Sequence, residues 1–357
     1  MKKVSYPLIE IDLEKIQKNI RALASKCESK NLDLVVVQKL LSGSKEMAEF
    51  LVENGIKTIA DSRILNLTNF QHLKVQKMLL RLPMLSEIDE VARLCDIVLI
   101  SEMKTILALN AAAQKAKRHI KLILMIETGD IREGLLDKDK IIAAALEINK
   151  CEFLTLEGLG TNFACYGATK PTVEKLQKLA ALKNELEQIT KKSIPVISGG
   201  SSTHLTIWDE KNIPSEINQI RVGSAILMGI GLNDEPISWL KNNTIKLKAE
   251  IIEIQDKPSA SWGPRALDAF AREVNFQDRG IRKKAIIALG RQDCPSEELV
   301  PLDSKIEVLG GSSDHTILDL TDSPIDYQVG DIIEFYPTYL GNLCLTTSKY
   351  VSVVYKK

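Results

Sequence analysis

The sequence has no surplus of charge, no long apolar run and no clustered metal-binding groups. Its 357 residues carry 47 Lys and Arg against 47 Asp and Glu, which cancel. A protein whose main partner is a nucleic-acid backbone or an anionic membrane needs a basic surplus or a basic face, so neither partner is expected. No stretch approaches roughly 18 consecutive apolar residues, and the first residues lack the apolar core of an export signal. The sequence therefore predicts a cytoplasmic protein without a membrane span.

Cysteine and histidine are present but scattered. The six cysteines form no C-x-x-C pair, and the four histidines lie far apart without the H-E-x-x-H spacing of a zinc site. In a chain of this length, such cysteines are typical of free thiols in a reducing compartment, and we expect no bound metal. A hydrophobic content of 45% and a charged content of 26% indicate a folded protein with a full core.

The first two-thirds of the sequence contains a regular alternation of apolar runs and helical segments. Continuous runs rich in Val, Ile and Leu suit strands that are buried on both faces, as in a parallel sheet. The gaps between the first seven runs contain apolar residues at helical spacing. The runs lie at 34–39, 57–60, 77–82, 97–100, 121–126, 153–159, 194–198 and 217–222. Eight such units predict a (β/α)8 TIM-like barrel over residues 14–235.

A second domain is predicted outside the barrel. After about residue 235 the sequence changes to short alternating runs separated by Pro, Gly, Asp and Ser. This pattern is typical of a mostly antiparallel β domain, which we assign to residues 236–357. The N-terminal run LIEIDL, at 8–13, is predicted as a strand of the same domain.

The ends of the predicted barrel strands carry the candidate chemistry, because this fold places catalytic groups there and often binds phosphate after strands seven and eight. Lys39 ends the first strand, where an amine can be desolvated and activated as a Schiff-base lysine; otherwise it is an ordinary lysine that leaves the strand for solvent. Gly/Ser turns at 198–203 and 221–224 suit an anion. Charged and amide groups at 127–134 and 158–167 predict a polar ligand.

Together these strand ends resemble the alanine racemase family, pyridoxal-phosphate enzymes built from a barrel and a β domain, and within it the branch that includes ornithine racemases. The resemblance covers essentially the whole chain. In the second domain, residues 290–293 occupy the place of the family's Gly-Tyr-Ala-Asp, 313–316 that of Met-Asp-Gln-Thr, and 329–331 its closing Val-Gly-Asp. The resemblance implies a racemase for a basic amino acid such as ornithine or lysine, with pyridoxal 5'-phosphate as cofactor. It also implies a homodimer with shared active sites.

The resemblance further implies roles for single residues. Lys39 would hold the cofactor as an imine and act as the base on one face, and Arg221 would face the pyridine nitrogen. Because arginine keeps its proton, the ring would withdraw electrons less strongly than with a carboxylate partner, which suits simple reprotonation. Arg132 would bind the substrate carboxylate. The other implied cofactor contacts are Asn162, where the family has a stacking histidine, and Ser202, Thr203, Gly223 and Ser224.

The sequence departs from the family pattern on the opposite face of the cofactor. The family's tyrosine base is replaced by Trp262, whose indole cannot transfer a proton. Racemisation needs a proton donor on each face, or one base that exchanges its proton with solvent. The candidates, in order, are His315, Asp314, Asp293 and Cys294. His315 comes first because imidazole as a class of side chain titrates near neutrality. The carboxylates, Asp293 included, could instead bind a substrate ammonium.

Other functions share the architecture. A pyridoxal-phosphate lyase, either a decarboxylase or an aldolase, is one alternative; decarboxylases of this fold usually have a reactive cysteine in the second domain, and Cys294 or Cys344 could imitate it. The Arg-x-Gly segment at 221–223 argues against this alternative. A non-catalytic pyridoxal-phosphate-binding protein is typically a lone barrel, and the second domain argues against it. A barrel for some other phosphorylated ligand also stays open, because fold does not fix function.

Overall fold

A computed structural model describes residues 5–357 of the chain, which divides into two compact units. The barrel unit comprises Ile16–Asn242, and the β unit combines the N-terminal stretch through Lys15 with Asn243–Lys357. The described chain begins with strand β1 (Leu8–Asp12), and helix α1 (Leu13–Ser29) follows it directly.

The eight predicted apolar runs form a closed parallel barrel, which confirms the predicted architecture. Consecutive strands are neighbours around the barrel, and the last strand closes it by pairing with the first, with Val222 opposite Val36. The strands are β2 (Asp33–Val37), β3 (Thr58–Asp61), β4 (Gln76–Leu79), β5 (Ile97–Ile100), β6 (Ile120–Met125), β7 (Leu154–Gly160), β8 (Val196–Ser198) and β9 (Gln219–Val222). Their bounds differ from the apolar runs by a few residues, because hydrophobicity marks burial and not backbone pairing.

Helices alternate with these strands, and each has buried apolar residues. In α2, for example, Met47 and Leu51 are buried, and Ser44 caps the first turn by accepting the N–H of Met47 at 3.2 Å. The helices are α2 (Lys45–Glu53), α3 (Ile64–Thr68), α4 (Ile88–Leu94), α5 (Met103–Ala116), α6 (Lys138–Lys150), α7 (Val173–Thr190) and α8 (Ser224–Met228). Within residues 5–357, none of the helices combines the length and apolarity that crossing a bilayer requires.

The barrel interior is apolar over β2 to β6 and includes two polar side chains, Ser198 on β8 and Arg221 on β9. Alternate residues of β2 to β6 form a buried cluster, since successive side chains of a strand point to opposite faces. The cluster consists of Val35, Val37, Ala60, Met78, Ile97, Leu99, Ile123 and Met125. Gly158, Gly160, Ser198 and Arg221 pair in register with these positions or with each other on β7 to β9. The two polar side chains of the interior therefore lie on the strands that precede the predicted anion turns.

The β unit is mostly antiparallel, as predicted. Its main path runs β12-β15-β10-β11-β14-β13, and β1 pairs antiparallel with β10 and parallel with β16. The elements are β10 (Ile245–Pro258), β11 (Ile281–Ile287), β12 (Leu299–Pro301), β13 (Glu307–Gly311), β14 (Thr316–Asp319), β15 (Ile332–Pro337), α9 (Tyr339–Thr347) and β16 (Ser352–Lys356). The N-terminal run is thus a strand of this sheet.

Candidate active site

Lys39 lies at the C-terminal end of the first barrel strand, two residues after β2 ends, and its side chain is half-buried. It begins a short 3-10 turn that ends at Ser42 with a left-handed φ of 50°. Gly43 follows with a φ of 66°, and a side chain there would lie 2.5 Å from a side-chain carbon of α3. Burial raises the pKa of Asp61 to about 6 and also raises the pKa of the Cys165 thiol, while the Lys39 charge opposes both increases. Lys39 is therefore near both acidic groups.

Arg221 lies in β9 and is only 3% exposed. Its guanidinium donates to the Thr161 carbonyl at 2.7 Å, to Asn162 Oδ1 at 3.0 Å, and to the Ser198 hydroxyl. Burial lowers the pKa of Arg221 to about 10, which leaves the side chain charged at neutral pH. The barrel therefore holds a fixed cation among neutral oxygen acceptors.

The barrel interior beside this cation is packed so closely that two positions of β7 require glycine. A Cβ atom at Gly160 would lie 2.7 Å from Ile123 Cγ2, 2.9 Å from Met125 Sδ and 3.5 Å from Nη1 of Arg221. A Cβ atom at Gly158 would lie 2.5 Å from a carbonyl oxygen of β8. Such short separations from backbone and packed side chains cannot be relieved by a small movement, so a larger residue would overpack the interior.

The turn after β8 contacts the start of α8. The Ser202 hydroxyl accepts the N–H of Ala225 at 3.2 Å, which leaves its own hydrogen for another acceptor. Gly200 has a φ of 113°, a conformation that favours glycine. The buried His204 lies with Nδ1 2.9 Å from the Gly199 carbonyl, and burial lowers the pKa of His204, so a neutral imidazole holds this turn.

The second predicted anion turn, Gly223–Ser224, lies against the end of β2. A Cβ atom at Gly223 would be 3.0 Å from the carbonyl oxygen of Val37, two residues before Lys39. Thr203 Oγ1 lies 3.2 Å from Ser201 Oγ in the neighbouring turn. The predicted phosphate-binding residues and the predicted Schiff-base lysine are therefore at one end of the barrel.

The loop after β6 brings Arg132 to the same end. The Glu127 carboxylate accepts the N–H groups of Gly129 and Arg132, the latter at 3.2 Å. Ile131 has a φ of 46°, which is costly for a β-branched residue. This bend accompanies an unusual contact, in which the consecutive side chains of Arg132 and Glu133 pair with each other.

A chain of hydrogen bonds connects Arg132 to Arg221. Glu133 accepts from Nε of Arg132, from Nη2 of Arg132 at 2.8 Å, and from Asn162 Nδ2 at 2.8 Å, while Asn162 Oδ1 accepts from Arg221. Three residues predicted from the sequence thus belong to one network. Sequence reasoning did not identify Glu133; its only signal was its place in a loop rich in charge.

The residues predicted for the opposite face lie in the β unit. His315 Nδ1 is 3.3 Å from Asp314 Oδ1, and their side chains are 45% and 61% exposed. A hydrogen bond from Ser313 lowers the pKa of Asp314, and the nearby His315 lowers it further. Asp314 is therefore a carboxylate at neutral pH. Trp262 is 81% exposed. The proton-transfer roles of His315 and Asp314 stay predictions.

Asp293 and Cys294 are buried in the β unit. Asp293 accepts from the Ser348 hydroxyl at 2.6 Å and from the Gly290 N–H at 3.4 Å. Its predicted contact with a substrate stays a prediction. Burial raises the pKa of Cys294 to about 12 and also raises the pKa of Cys344, so both thiols are protonated at neutral pH. Neither has the lowered pKa of a reactive cysteine.

Comparison with known proteins identifies relatives along the whole chain. The family model for the alanine racemase N-terminal domain matches residues 11–230. A lysine racemase from Thermotoga maritima is 40% identical over 354 residues, which cover 98% of this chain and 99% of that protein. An ornithine racemase from Acetoanaerobium sticklandii is 37% identical over 347 residues, which cover 97% and 98% of the two proteins.

A solved structure has the same fold. The alanine racemase from Bartonella henselae with covalently bound pyridoxal phosphate matches with a TM-score of 0.73 and 18% identity. The match covers 99% of this chain and 100% of that one. At this level of identity the likeness establishes a shared architecture of barrel and β domain.

Proposed function

This chain belongs to the alanine racemase family, and we propose that it interconverts the L and D enantiomers of a basic amino acid with pyridoxal 5'-phosphate as cofactor. Two racemases match this chain at 37% and 40% identity over nearly their whole length. The chain is therefore an amino-acid racemase. Both relatives are named for amino acids with a side-chain amine, which supports ornithine or lysine as substrate. The observation that carries the proposal is the position of Lys39, the buried Arg221 and two glycine-serine turns at one end of the barrel.

The described residues fit pyridoxal phosphate. Gly200 and Gly223 keep the two turns free of side chains, since an added Cβ atom would lie 3.1 Å from Phe163 and 3.0 Å from the Val37 carbonyl oxygen. Ser202 retains a hydroxyl hydrogen for an anion. Arg221, which is charged at neutral pH, would contact the pyridine nitrogen. The remaining proposed contacts are the phosphate-binding groups of Thr203 and Ser224 and the side chain of Asn162.

Pyridoxal phosphate, when bound, makes the Cα proton of an amino acid acidic by withdrawing electrons. We assign the transfer of this proton on one face to the Lys39 amine. Arg221 cannot accept it, because its pKa of about 10 keeps the guanidinium protonated at neutral pH. Arg132 would bind the substrate carboxylate and thereby fix the orientation of Cα.

On the opposite face we propose His315 as the proton donor, oriented by Asp314. An imidazole beside a carboxylate is the usual arrangement for a general acid or base. Asp293 is the proposed partner of the substrate ammonium. The family resemblance also supports a homodimer with shared active sites and a cytoplasmic location, and both are part of this proposal.

The role of His315 is tested by exchange in deuterium oxide. We expect His315→Gln to lower racemisation about 100-fold, the scale of a lost general acid. One enantiomer should still exchange its α-proton, because Lys39 continues to act on its own face. Mass spectrometry of the recovered amino acid after chiral chromatography measures both. Equal rates of racemisation in the variant and the wild type would rule out His315.

The overall function is tested by incubating the cofactor-loaded enzyme with single enantiomers of ornithine, lysine, arginine, alanine and serine. Chiral chromatography should show conversion of ornithine or lysine to a mixture of enantiomers. If all five amino acids keep their configuration, the proposal fails. Release of carbon dioxide or an aldehyde would instead identify a lyase.

A further inference from the structure

We infer that Glu133 is a positioning residue, which orients Arg132 for the carboxylate of the substrate. This role rests on the proposed function, in which Arg132 binds that carboxylate. Glu133 holds the guanidinium along one edge, through Nε and Nη2. These contacts occupy two of the five N–H donors of an arginine and fix the direction of the others, which include both donors of Nη1.

The charge of Glu133 also separates two arginines. Burial is the main influence on the pKa of Arg221; the Glu133 charge raises this pKa, and the Arg132 charge lowers it. Burial alone would lower the pKa of Arg132, but the hydrogen bond with Glu133 and the nearby acidic groups raise it. Removing the Glu133 charge would therefore leave two guanidinium groups that repel each other, and the more exposed Arg132 would move away.

Asn162 fits this arrangement because its amide both donates and accepts. Nδ2 donates to Glu133 at 2.8 Å, and Oδ1 accepts from Arg221 at 3.0 Å. An aspartate of similar size would bring a second carboxylate against Glu133. Asn162 thus connects the proposed substrate-binding arginine to the arginine proposed to contact the cofactor ring.

The backbone of this loop is built around the same contact. Ile131 has a φ of 46°, and Gly134 a φ of 132° at a position where a side chain would lie 2.7 Å from the Glu127 nitrogen. These two conformations flank the adjacent residues Arg132 and Glu133. Strained backbone persists where the surrounding structure requires it, and functional sites are a common place for it.

The test compares binding of L-ornithine with binding of 1,4-diaminobutane, which is ornithine without its carboxylate. Each is titrated into cofactor-loaded enzyme, and the change in visible absorbance gives an apparent dissociation constant, which for ornithine is that of the equilibrated enantiomers. Glu133→Gln should raise the ornithine constant by about tenfold or more, the scale of a misplaced binding group, and leave the diaminobutane constant unchanged. Glu157→Gln is the matched control: Glu157 accepts from Lys121 at 2.6 Å, and its side chain is 19% exposed, against 17% for Glu133. It should change neither constant.

An equal weakening of both ligands in E133Q would overturn this role, since it would show general damage to the site. Unchanged ornithine binding would overturn it as well. If E133Q does not fold, Glu133→Asp keeps the charge but shortens the side chain, and the same selective loss of ornithine binding is required. Wild-type enzyme that neither binds nor racemises ornithine or lysine would instead overturn the proposed function, and this role with it.

Discussion

A buried aspartate in the barrel unit and a buried aspartate in the β unit differ in how their charges are satisfied. Asp61, at the end of β3, is fully buried; its Oδ1 accepts from Asn66 at 2.9 Å, but its Oδ2 has no hydrogen-bond partner among residues 5–357. Asp319, in β14, is 2% exposed and pairs with Arg282 at 2.8 Å and with Arg279 at 3.4 Å. In the β unit two arginines pair with the buried Asp319 carboxylate, whereas in the barrel unit one oxygen of the buried Asp61 carboxylate has no hydrogen-bond partner among the described residues.

The pKa values of the two carboxyl groups differ accordingly. Burial raises the pKa of Asp61 to about 6, whereas at Asp319 the effect of burial is exceeded by hydrogen bonds from Thr321 and Arg282, and the pKa is lowered. Gln38, which precedes Lys39, is another fully buried side chain whose amide atoms have no partner in the described part of the chain. Unsatisfied buried groups reduce stability, and they are expected where function requires them. Asp61 Oδ2 and the Gln38 amide are two such groups, and both lie at the end of the barrel that contains Lys39.

Substitution of Arg221 separates catalysis from stability. Arg221→Gln should lower kcat/KM for the racemised amino acid at least about 100-fold, because it removes a fixed cation from the proposed cofactor site. Steady-state kinetics with chiral detection measure this change. Arg282→Gln in the β unit is the control, and we expect it to reduce stability without a comparable loss of kcat/KM. Loss of less than about tenfold in the first variant would contradict the proposed role of Arg221.

Asp319→Asn should destabilise the protein. The change removes a buried charge that two arginines neutralise, and each arginine retains a further acidic partner, so a loss of about 1–3 kcal/mol in the free energy of unfolding is expected. A urea titration of the apoprotein at pH 7.5, followed by circular dichroism, measures it. An unchanged midpoint would show that the Asp319 ion pairs contribute nothing.

Asp61→Asn should have the opposite and smaller effect. The folded chain binds the Asp61 proton more tightly than the unfolded chain, whose pKa is close to 3.8. The resulting stability is complete below pH 3.8 and is lost as the pH rises through about 6. At pH 7.5 the variant should therefore be about 1–2 kcal/mol more stable than the wild type. The difference should shrink towards pH 4, and a less stable variant at pH 7.5 would contradict the raised pKa.

Periodicity and strand-end chemistry were sufficient to predict the barrel and the neighbourhood of Lys39. Eight apolar runs define eight strands, and in a parallel barrel their C-terminal ends meet, so Lys39, Arg221 and the two glycine-serine turns had to lie at one end. The pairing of Glu133 with Arg132 could not be predicted, because it depends on a left-handed backbone at Ile131 that no residue type there favours. The unsatisfied Oδ2 of Asp61 likewise depends on tertiary packing.

We propose that Lys39 attaches pyridoxal phosphate covalently. Purified protein incubated with the cofactor and desalted should absorb at about 420 nm, the region expected for the attached cofactor. Lys39→Ala should lack this band while keeping the circular dichroism spectrum of the wild type, and Lys57→Ala, a lysine before β3, should retain the band. Wild-type protein without the band, or a Lys39→Ala variant with an equal band, would rule out this attachment.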